Sequence, residues 1–254
     1  MGGAVVNTYK RLGETPRERI ERLRREQPQY QYEVLSYAGR LDPMAEGVLL
    51  LLAGEKNKQR DQYLSLEKEY VLDILFGFST DTYDVLGKIL RSGDASHVTR
   101  AKVIDGLARF RGSFEQEYPP YSSKTVEGKS LFEWARQSVP WSFALPAHTV
   151  TVRDITLAGM YRVKESELLA YIERSVGGVD GDFRQDDVLA YWHRALRKEG
   201  VRLFPCATVH IGCSSGTYAR SIANELGQHL GVPALALHIL RTRVGEYRME
   251  RALR

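Results

Sequence analysis

Cysteine and long apolar segments are both scarce in this sequence, and each scarcity narrows the classes of protein that it can encode. Only two of the 254 residues are cysteines, which is typical of a protein kept in a reducing compartment. The only long apolar run, residues 48–53, is far shorter than the roughly 20 residues that cross a bilayer. The start, Met1-Gly2-Gly3, has neither the charged nor the apolar part of a secretion signal. We therefore expect a cytoplasmic protein that does not contact a membrane.

The two cysteines lie close to a histidine, so a metal site has to be considered. Cys206, His210 and Cys213 belong to a segment, residues 204–213, whose pattern is typical of a β-strand. Because side chains alternate between the faces of a strand, Cys206 and His210 share one face and Cys213 lies on the other. Opposite faces cannot share one metal ion. We therefore predict no metal site and two reduced cysteines packed in a sheet.

Positive and negative charges nearly balance in this sequence. Lysine and arginine number 36 against 32 aspartate and glutamate residues, a net charge of +4. This small excess permits an anionic partner such as RNA, but it is equally typical of an ordinary enzyme. Glycine motifs that bind phosphates or dinucleotides are absent, so we expect no cofactor.

Alternating strands and helices predict one domain of mixed α and β structure. Thr15, Pro16 and Glu18 form the capping signature of a first helix that runs to about Gln27. Strands are predicted over residues 48–52, 70–76, 85–90, 149–157 and 203–211, and helices over residues 98–110, 130–137 and 217–231. A further helix pair, residues 166–176 and 186–198, indicates a helical insertion at about residues 161–200.

The most unusual local sequence is GRLDPMAEG, residues 39–47, directly before a predicted strand. Pro43 keeps Asp42 out of the helical region, and Gly39 and Gly47 allow tight turns on either side. One carboxylate is therefore presented on a rigid loop, as a catalytic side chain requires. Taken alone, the pattern also fits an ordinary turn residue.

A second motif supports a catalytic interpretation of Asp42. Arg220 falls in the first turn of the last predicted helix, where a cation opposes the helix dipole by about 0.3–1 kcal/mol. This position makes more sense if a carboxylate or phosphate compensates for the arginine charge, and Asp42 is the natural candidate. Such an ion pair would keep the acid ionised and aimed at a substrate. We therefore predict a contact between Asp42 and Arg220.

Five motifs together resemble the TruB family of tRNA pseudouridine synthases, in the family's order and across residues 5–247. They are Gly39-Arg40-Leu41-Asp42-Pro43 with Gly47, Lys68-Glu69-Tyr70, Thr80-Asp81-Thr82-Tyr83-Asp84 with Gly87, Pro120-Tyr121-Ser122-Ser123-Lys124 with Gly128, and Gly216-Thr217-Tyr218-Ala219-Arg220. The resemblance implies the pseudouridine synthase catalytic fold, an α+β fold with a central mixed, mostly antiparallel sheet flanked by helices. It implies one domain over residues 1–254, without the family's C-terminal PUA domain.

The resemblance also implies a reaction, the isomerisation of a T-loop uridine of tRNA, at position 55, to pseudouridine. Asp42 matches the essential carboxylate, which acts either as a nucleophile at C1′ or as a base at C2′; the sequence leaves both roles open. Arg220 would orient Asp42. Tyr70 matches the tyrosine that stacks on the flipped uracil and assists removal of the C5 proton. The bonds change within one nucleotide, so no cofactor is required.

The T-arm of tRNA is the expected partner of a monomeric enzyme. Residues expected to contact RNA are Tyr37, Lys10, Lys58, Asp84, Tyr121 and Lys124. For Lys58 and Lys124 a purely solvated surface role is an equal alternative. Ser36 and Tyr37 replace a Gly-His pair typical of relatives, and since tyrosine can also stack or donate a hydrogen bond, we expect altered RNA binding with the chemistry kept.

Three other functions compete with this interpretation. A non-catalytic RNA-binding protein or tRNA-folding chaperone would not need Asp42, Tyr70 and Arg220 together. An enzyme of the same chemistry that works with a guide RNA on ribosomal RNA is expected to retain the PUA domain. An unrelated metabolic enzyme would show five ordered motifs only by coincidence.

Overall fold

A computed structural model describes residues 3–137, 143–196 and 202–254. Its strands are β1 (Ala4–Lys10), β2 (Leu35–Ala38), β3 (Ala45–Ala53), β4 (Lys68–Phe76), β5 (Phe78–Thr80), β6 (Ile89–Ser92), β7 (Gly112–Glu117), β8 (Thr125–Val126), β9 (Lys129–Ser130), β10 (Ala147–Lys164), β11 (Leu203–Cys213), β12 (Ala234–Val244) and β13 (Tyr247–Arg248). Its α-helices are α1 (Pro16–Glu26), α2 (Arg60–Leu64), α3 (Arg100–Ala108), α4 (Leu131–Arg136), α5 (Glu165–Gly177), α6 (Gln185–Ala195) and α7 (Ala219–Leu230).

One large sheet organises these elements. Its strands follow the order β1-β3-β12-β4-β11-β10-β7, with β2 added on β3 and β13 on β12. Strands β3 and β12 pair in parallel, whereas the other neighbours in this order pair antiparallel. The prediction of an α+β fold with a mixed, mostly antiparallel sheet is confirmed. Among the described residues, no α-helix is both long and apolar enough to cross a membrane.

Both faces of the sheet are buried, and each face packs against different helices. Along β4, Leu72 and Ile74 belong to a core shared with α1, α3 and α7, whereas Leu75 belongs to a second core shared with α5 and α6. Trp192 of α6 is fully buried in this second core. Helices α5 and α6, with the loop between them, form the helical insertion, and the insertion therefore covers a face of the sheet that would otherwise be exposed.

Local sequence signals predicted several elements well. The capping box of α1 is confirmed, because the Thr15 hydroxyl accepts from the Glu18 N–H at 3.2 Å and Glu18 accepts from the Thr15 N–H at 2.5 Å. The end of the predicted helix 186–198 lies partly outside the described residues; α6 itself ends at Ala195.

The predicted strand 85–90 is wrong over most of its length, since β6 covers only Ile89–Ser92. Two carboxylates are the reason. Asp84 accepts the Leu86 N–H at 3.0 Å, and Asp81 accepts the Lys88 N–H at 2.9 Å. These bonds close turns in which the backbone pairs with side chains instead of with another strand.

Gly47 allows β3 and β12 to approach each other where they run parallel. It pairs with Arg241, and its backbone has a φ of +110°, which side-chain-bearing residues rarely adopt. A Cβ atom at this position would lie 2.2 Å from the carbonyl oxygen of Arg241. Glycine is therefore required at this position, because β3, which carries Gly47 directly after the Asp42 loop, could not otherwise approach β12 so closely.

We predict that Gly47→Ala destabilises the protein by at least about 2 kcal/mol, because it combines backbone strain with a backbone clash. Denaturant unfolding measures the free energy. Gly159→Ala in β10 is the matched control, since a Cβ there meets nothing within 4 Å, and it should change stability by less than about 0.5 kcal/mol. Equal stability of the two variants would contradict the close approach.

Candidate active site

A cavity of about 630 Å³ opens beside the loop that carries Asp42. Six of the nine residues that the sequence marked as functional line this cavity, namely Tyr37, Asp42, Tyr70, Asp84, Tyr121 and Arg220; Lys10, Lys58 and Lys124 do not. The lining comes from distant parts of the chain, including the strand β4, the start of α7 and the loop of the helical insertion. The cavity is therefore assembled by the tertiary fold.

The predicted contact between Asp42 and Arg220 is present. The Arg220 Nε donates to the Asp42 Oδ2 at 2.8 Å. The arginine side chain is buried, at 3% exposed, whereas the aspartate side chain is 30% exposed. The pair is thus asymmetric: the cation is held inside the protein, and the carboxylate that it orients can be reached from the cavity.

All three nitrogens of the Arg220 guanidinium have acceptors. Besides Asp42, it donates to the backbone oxygens of Thr82 at 2.7 Å and Tyr121 at 2.8 Å. Burial by itself would lower the pKa of Arg220, but the charges of Asp42 and Asp84 raise it above the ordinary value. Arg220 therefore stays charged and joins three motif segments to α7.

Asp84 lies inside the protein, and this position does not favour a direct contact between its carboxylate and RNA. It is 4% exposed and accepts from the Thr82 hydroxyl at 2.6 Å. Burial raises the pKa of Asp84 to about 6, and the Arg220 charge and the Thr82 hydrogen bond oppose that rise. The residue serves as a second acidic neighbour of Arg220.

Tyr70 of β4 lines the cavity, and it lies beside a second buried arginine, Arg241 of β12. Burial raises the pKa of the Tyr70 phenol, and the positive charge of Arg241 opposes that rise. Arg241 donates to the backbone oxygens of Gly39 at 3.1 Å, Arg40 at 3.2 Å and Val48 at 2.7 Å. It therefore fixes both ends of the Asp42 loop and contacts Tyr70 at the same time.

Sequence reasoning assigned Arg241 no role, although a signal was present. Two arginines, Arg241 and Arg243, follow a largely apolar run within the strand β12, and a charge that is buried in a sheet needs specific acceptors. Lys68 belongs to one of the five motifs, Lys68-Glu69-Tyr70, but no role was predicted for it. It is 5% exposed, donates to the carbonyl oxygens of Leu64 at 2.7 Å and of Leu66, and burial lowers its pKa to about 8.

Tyr37 lies at the rim of the cavity between two arginines. Its hydroxyl accepts from Arg40 at 3.3 Å, and its backbone oxygen accepts from the Arg60 Nε at 3.0 Å. The ring is only partly buried. An aromatic surface flanked by two cations is suited to contact with a nucleic acid, where bases stack and phosphates attract cations.

The three lysines expected to contact RNA have different surroundings. Lys10 is fully buried and donates to the backbone oxygens of Arg11 at 3.0 Å and Glu14 at 2.5 Å, so its ammonium group is out of reach of a phosphate in this structure. Lys58 is 75% exposed and pairs with Glu55 at 2.6 Å. Lys124 is exposed and lies 5.1 Å from the centre of the Tyr118 ring. Only the last two can meet a partner without rearrangement.

The two cysteines lie on opposite faces of the sheet, as predicted. Cys206 belongs to the core covered by the helical insertion, and Cys213 belongs to the core on the other face. Both are buried free thiols. Within the described residues, no group of three or more histidine, cysteine, aspartate or glutamate side chains is arranged to hold a metal ion.

Comparison with known proteins gives a consistent result. Residues 28–177 match the family described as TruB family pseudouridylate synthase (N terminal domain). The tRNA pseudouridine synthase B of Caldanaerobacter subterraneus is 30% identical over 246 residues, which are 97% of this chain and 70% of that protein. The corresponding protein of Symbiobacterium thermophilum is 31% identical over 98% of this chain and 68% of its own length. tRNA pseudouridine synthase 4 of Schizosaccharomyces pombe is 27% identical over 85% and 66%, respectively.

A solved structure shares the fold. A chain from the crystal structure of a Cbf5-Nop10-Gar1 complex superposes with a TM-score of 0.57 at 20% sequence identity. The match covers 96% of this chain and 49% of that one. At this identity the likeness shows the fold alone.

The buried Lys10 leads to a prediction about stability and pH. Burial lowers the pKa of Lys10 from 10.5 to about 7. Below pH 7 both the folded and the unfolded protein carry the proton, and the burial cost is complete. Between pH 7 and 10.5 only the unfolded protein keeps it, so the stability of the wild type relative to Lys10→Met should rise with pH, by about 1.4 kcal/mol per unit.

Urea unfolding at pH 6.5, 8 and 9.5 measures this difference. Lys58→Met is the control, because it removes an exposed lysine side chain instead of a buried one. Parallel stability curves for the wild type and Lys10→Met would contradict the burial of a lysine with a lowered pKa.

Proposed function

The chain belongs to the TruB family of pseudouridylate synthases, and we propose that it isomerises a T-loop uridine of tRNA, at position 55, to pseudouridine. The observation that carries this proposal is the Asp42 carboxylate, held by a buried guanidinium at 2.8 Å and exposed to a cavity large enough for a nucleotide. The alternative, an RNA-binding protein without activity, would have no use for an oriented carboxylate. A cytoplasmic location fits this substrate.

The proposed reaction moves one glycosidic bond within one nucleotide. The C1′–N1 bond breaks, N1 leaves with the electron pair, the uracil turns, and C5 joins C1′. The C5 proton is then lost and N1 gains one, so atoms and electrons balance without a cofactor or a metal ion. Asp42 starts the sequence either as a nucleophile at C1′ or as a base at C2′.

Tyr70 is proposed to hold the turning base. Its ring lines the cavity with Asp42, and stacking on an aromatic ring contributes about 1–3 kcal/mol per base. This stabilisation offsets part of the few kcal/mol needed to extrude a base from its stack. The phenol is proposed to assist removal of the C5 proton; burial raises the pKa of Tyr70, and the neighbouring Arg241 charge opposes that rise.

We further propose that the rim of the cavity binds the T-arm. Tyr37, flanked by Arg40 and Arg60, offers a stacking surface beside two cations. Lys124 lies on the segment that also carries Tyr121, which lines the cavity. The described sheet and its helical insertion would act as one catalytic domain in a monomer.

The test is incubation of the protein with an unmodified tRNA transcript, followed by carbodiimide treatment and primer extension. Wild-type protein should give a stop at the T-loop uridine, and Asp42→Asn should abolish it, because the amide can serve neither as nucleophile nor as base. Asp105→Asn, an exposed carboxylate of α3, is the matched control and should leave the stop unchanged.

Each outcome tests a different part of the proposal. RNA binding without any pseudouridine from the wild type would favour the non-catalytic alternative and overturn the proposed reaction. Equal product from wild type and Asp42→Asn would leave the enzyme in place and remove Asp42 from its mechanism. A stop elsewhere in the tRNA would correct the position alone.

A further inference from the structure

The loop of the helical insertion forms a wall of the cavity. Between α5 and α6, the residues Asp182, Phe183 and Arg184 line the same space as Asp42. None of the five recognised motifs includes these residues. The insertion therefore contributes to the site as well as to the core.

Arg184 covers the Tyr121 ring and pairs with the carboxylate that holds the Tyr121 hydroxyl. The Arg184 guanidinium carbon lies 4.5 Å from the centre of the Tyr121 ring. The Arg184 Nη1 donates to the Asp81 Oδ2 at 2.8 Å, and the Tyr121 hydroxyl donates to the same oxygen at 3.2 Å. The ring is thus covered by the guanidinium, while its hydroxyl is held by the carboxylate to which the guanidinium is paired.

Tyr121 passes this constraint to the ion pair at the centre of the cavity. Its backbone oxygen accepts from the Arg220 Nη2 at 2.8 Å. Arg220 in turn holds Asp42 through its Nε. Four consecutive contacts therefore connect the insertion to the proposed catalytic carboxylate.

The wall itself is rigidly placed. Gln185 donates to the backbone oxygens of Val179 at 2.8 Å and Gly181 at 2.7 Å, which fixes the loop. The Trp192 indole donates to the Val85 oxygen at 3.1 Å, which fixes α6 on the segment between β5 and β6. Arg184 has a φ of +62°, a left-handed conformation that favours glycine, so its side chain is kept at a position where a side chain is unfavourable.

We propose that Arg184 is a positioning residue, which clamps Tyr121 against Asp81 and thereby orients the Arg220–Asp42 pair for catalysis. A direct phosphate contact is less favoured by the geometry, because the Arg184 charge is already paired with Asp81 and both side chains are about four-fifths buried. The inference rests on the proposed function, since the effect appears in pseudouridine formation.

The kinetic test compares Arg184→Ala with Arg194→Ala, which removes an exposed arginine from α6. Single-turnover rates at saturating tRNA and the Kd for tRNA are measured for both. Arg184→Ala should slow single-turnover pseudouridine formation at least about tenfold and leave the Kd for tRNA unchanged, because small misplacements at a reacting centre lower the rate strongly. Arg194→Ala should resemble the wild type in both.

The route through Tyr121 is tested by a double variant. Arg184→Ala combined with Tyr121→Leu should be no slower than Tyr121→Leu alone, because the clamp then has nothing to hold. A weaker Kd with a reduced salt dependence and an unchanged rate would overturn the proposal in favour of a phosphate contact. A lowered thermal midpoint with an unchanged rate would overturn it in favour of a purely structural role.

A measurement without turnover separates this proposal from the proposed function. With 3-fluorotyrosine incorporated, the ¹⁹F resonance of Tyr121, identified with Tyr121→Phe, should shift or broaden in Arg184→Ala and stay in place in Arg194→Ala. An unmoved resonance would overturn the clamp even in an active enzyme. A wild type with an intact clamp but no pseudouridine would instead overturn the proposed function.

Discussion

A single buried guanidinium, that of Arg220, holds together the segments from which the cavity is built. It bonds to the Asp42 carboxylate and to the backbone oxygens of Thr82 and Tyr121. Asp42 and Arg220 are 178 residues apart in sequence, so the ion pair depends on the tertiary fold. Loss of an acceptor would leave a buried charge without compensation, which is strongly unfavourable. The geometry of the site and the integrity of the fold therefore depend on the same contact.

The rest of the architecture supports this contact from two sides. Arg241 fixes both ends of the Asp42 loop through the backbone oxygens of Gly39, Arg40 and Val48, and Gly47 lets the strand of Arg241 approach closely enough to do so. From the other side, the helical insertion covers the second face of the sheet and brings Arg184 to the cavity. The same insertion thus completes a core and bounds a proposed active site.

Local patterns were predictable from the sequence, whereas burial and register were not. The pre-proline Asp42 and the first-turn Arg220 predicted their own contact, because each is unfavourable or unexplained without the other. Lys10 was expected to contact RNA, but its ammonium group donates to backbone oxygens inside the protein, which residue type alone does not reveal. For Arg241 the sequence shows a charge within a largely apolar strand, but its acceptors, like the contacts of Arg184, depend on strand pairing and on packing between distant segments.

The central claim is that Arg220 orients Asp42 for the chemical step. The most direct test is single-turnover pseudouridine formation by Arg220→Ala, measured as tritium release from tRNA labelled at C5 of uridine, beside its Kd for the same tRNA and its thermal midpoint. For folded variant protein, the account predicts a rate at least about 100-fold below that of the wild type with binding largely retained. An unchanged rate from bound tRNA would contradict it.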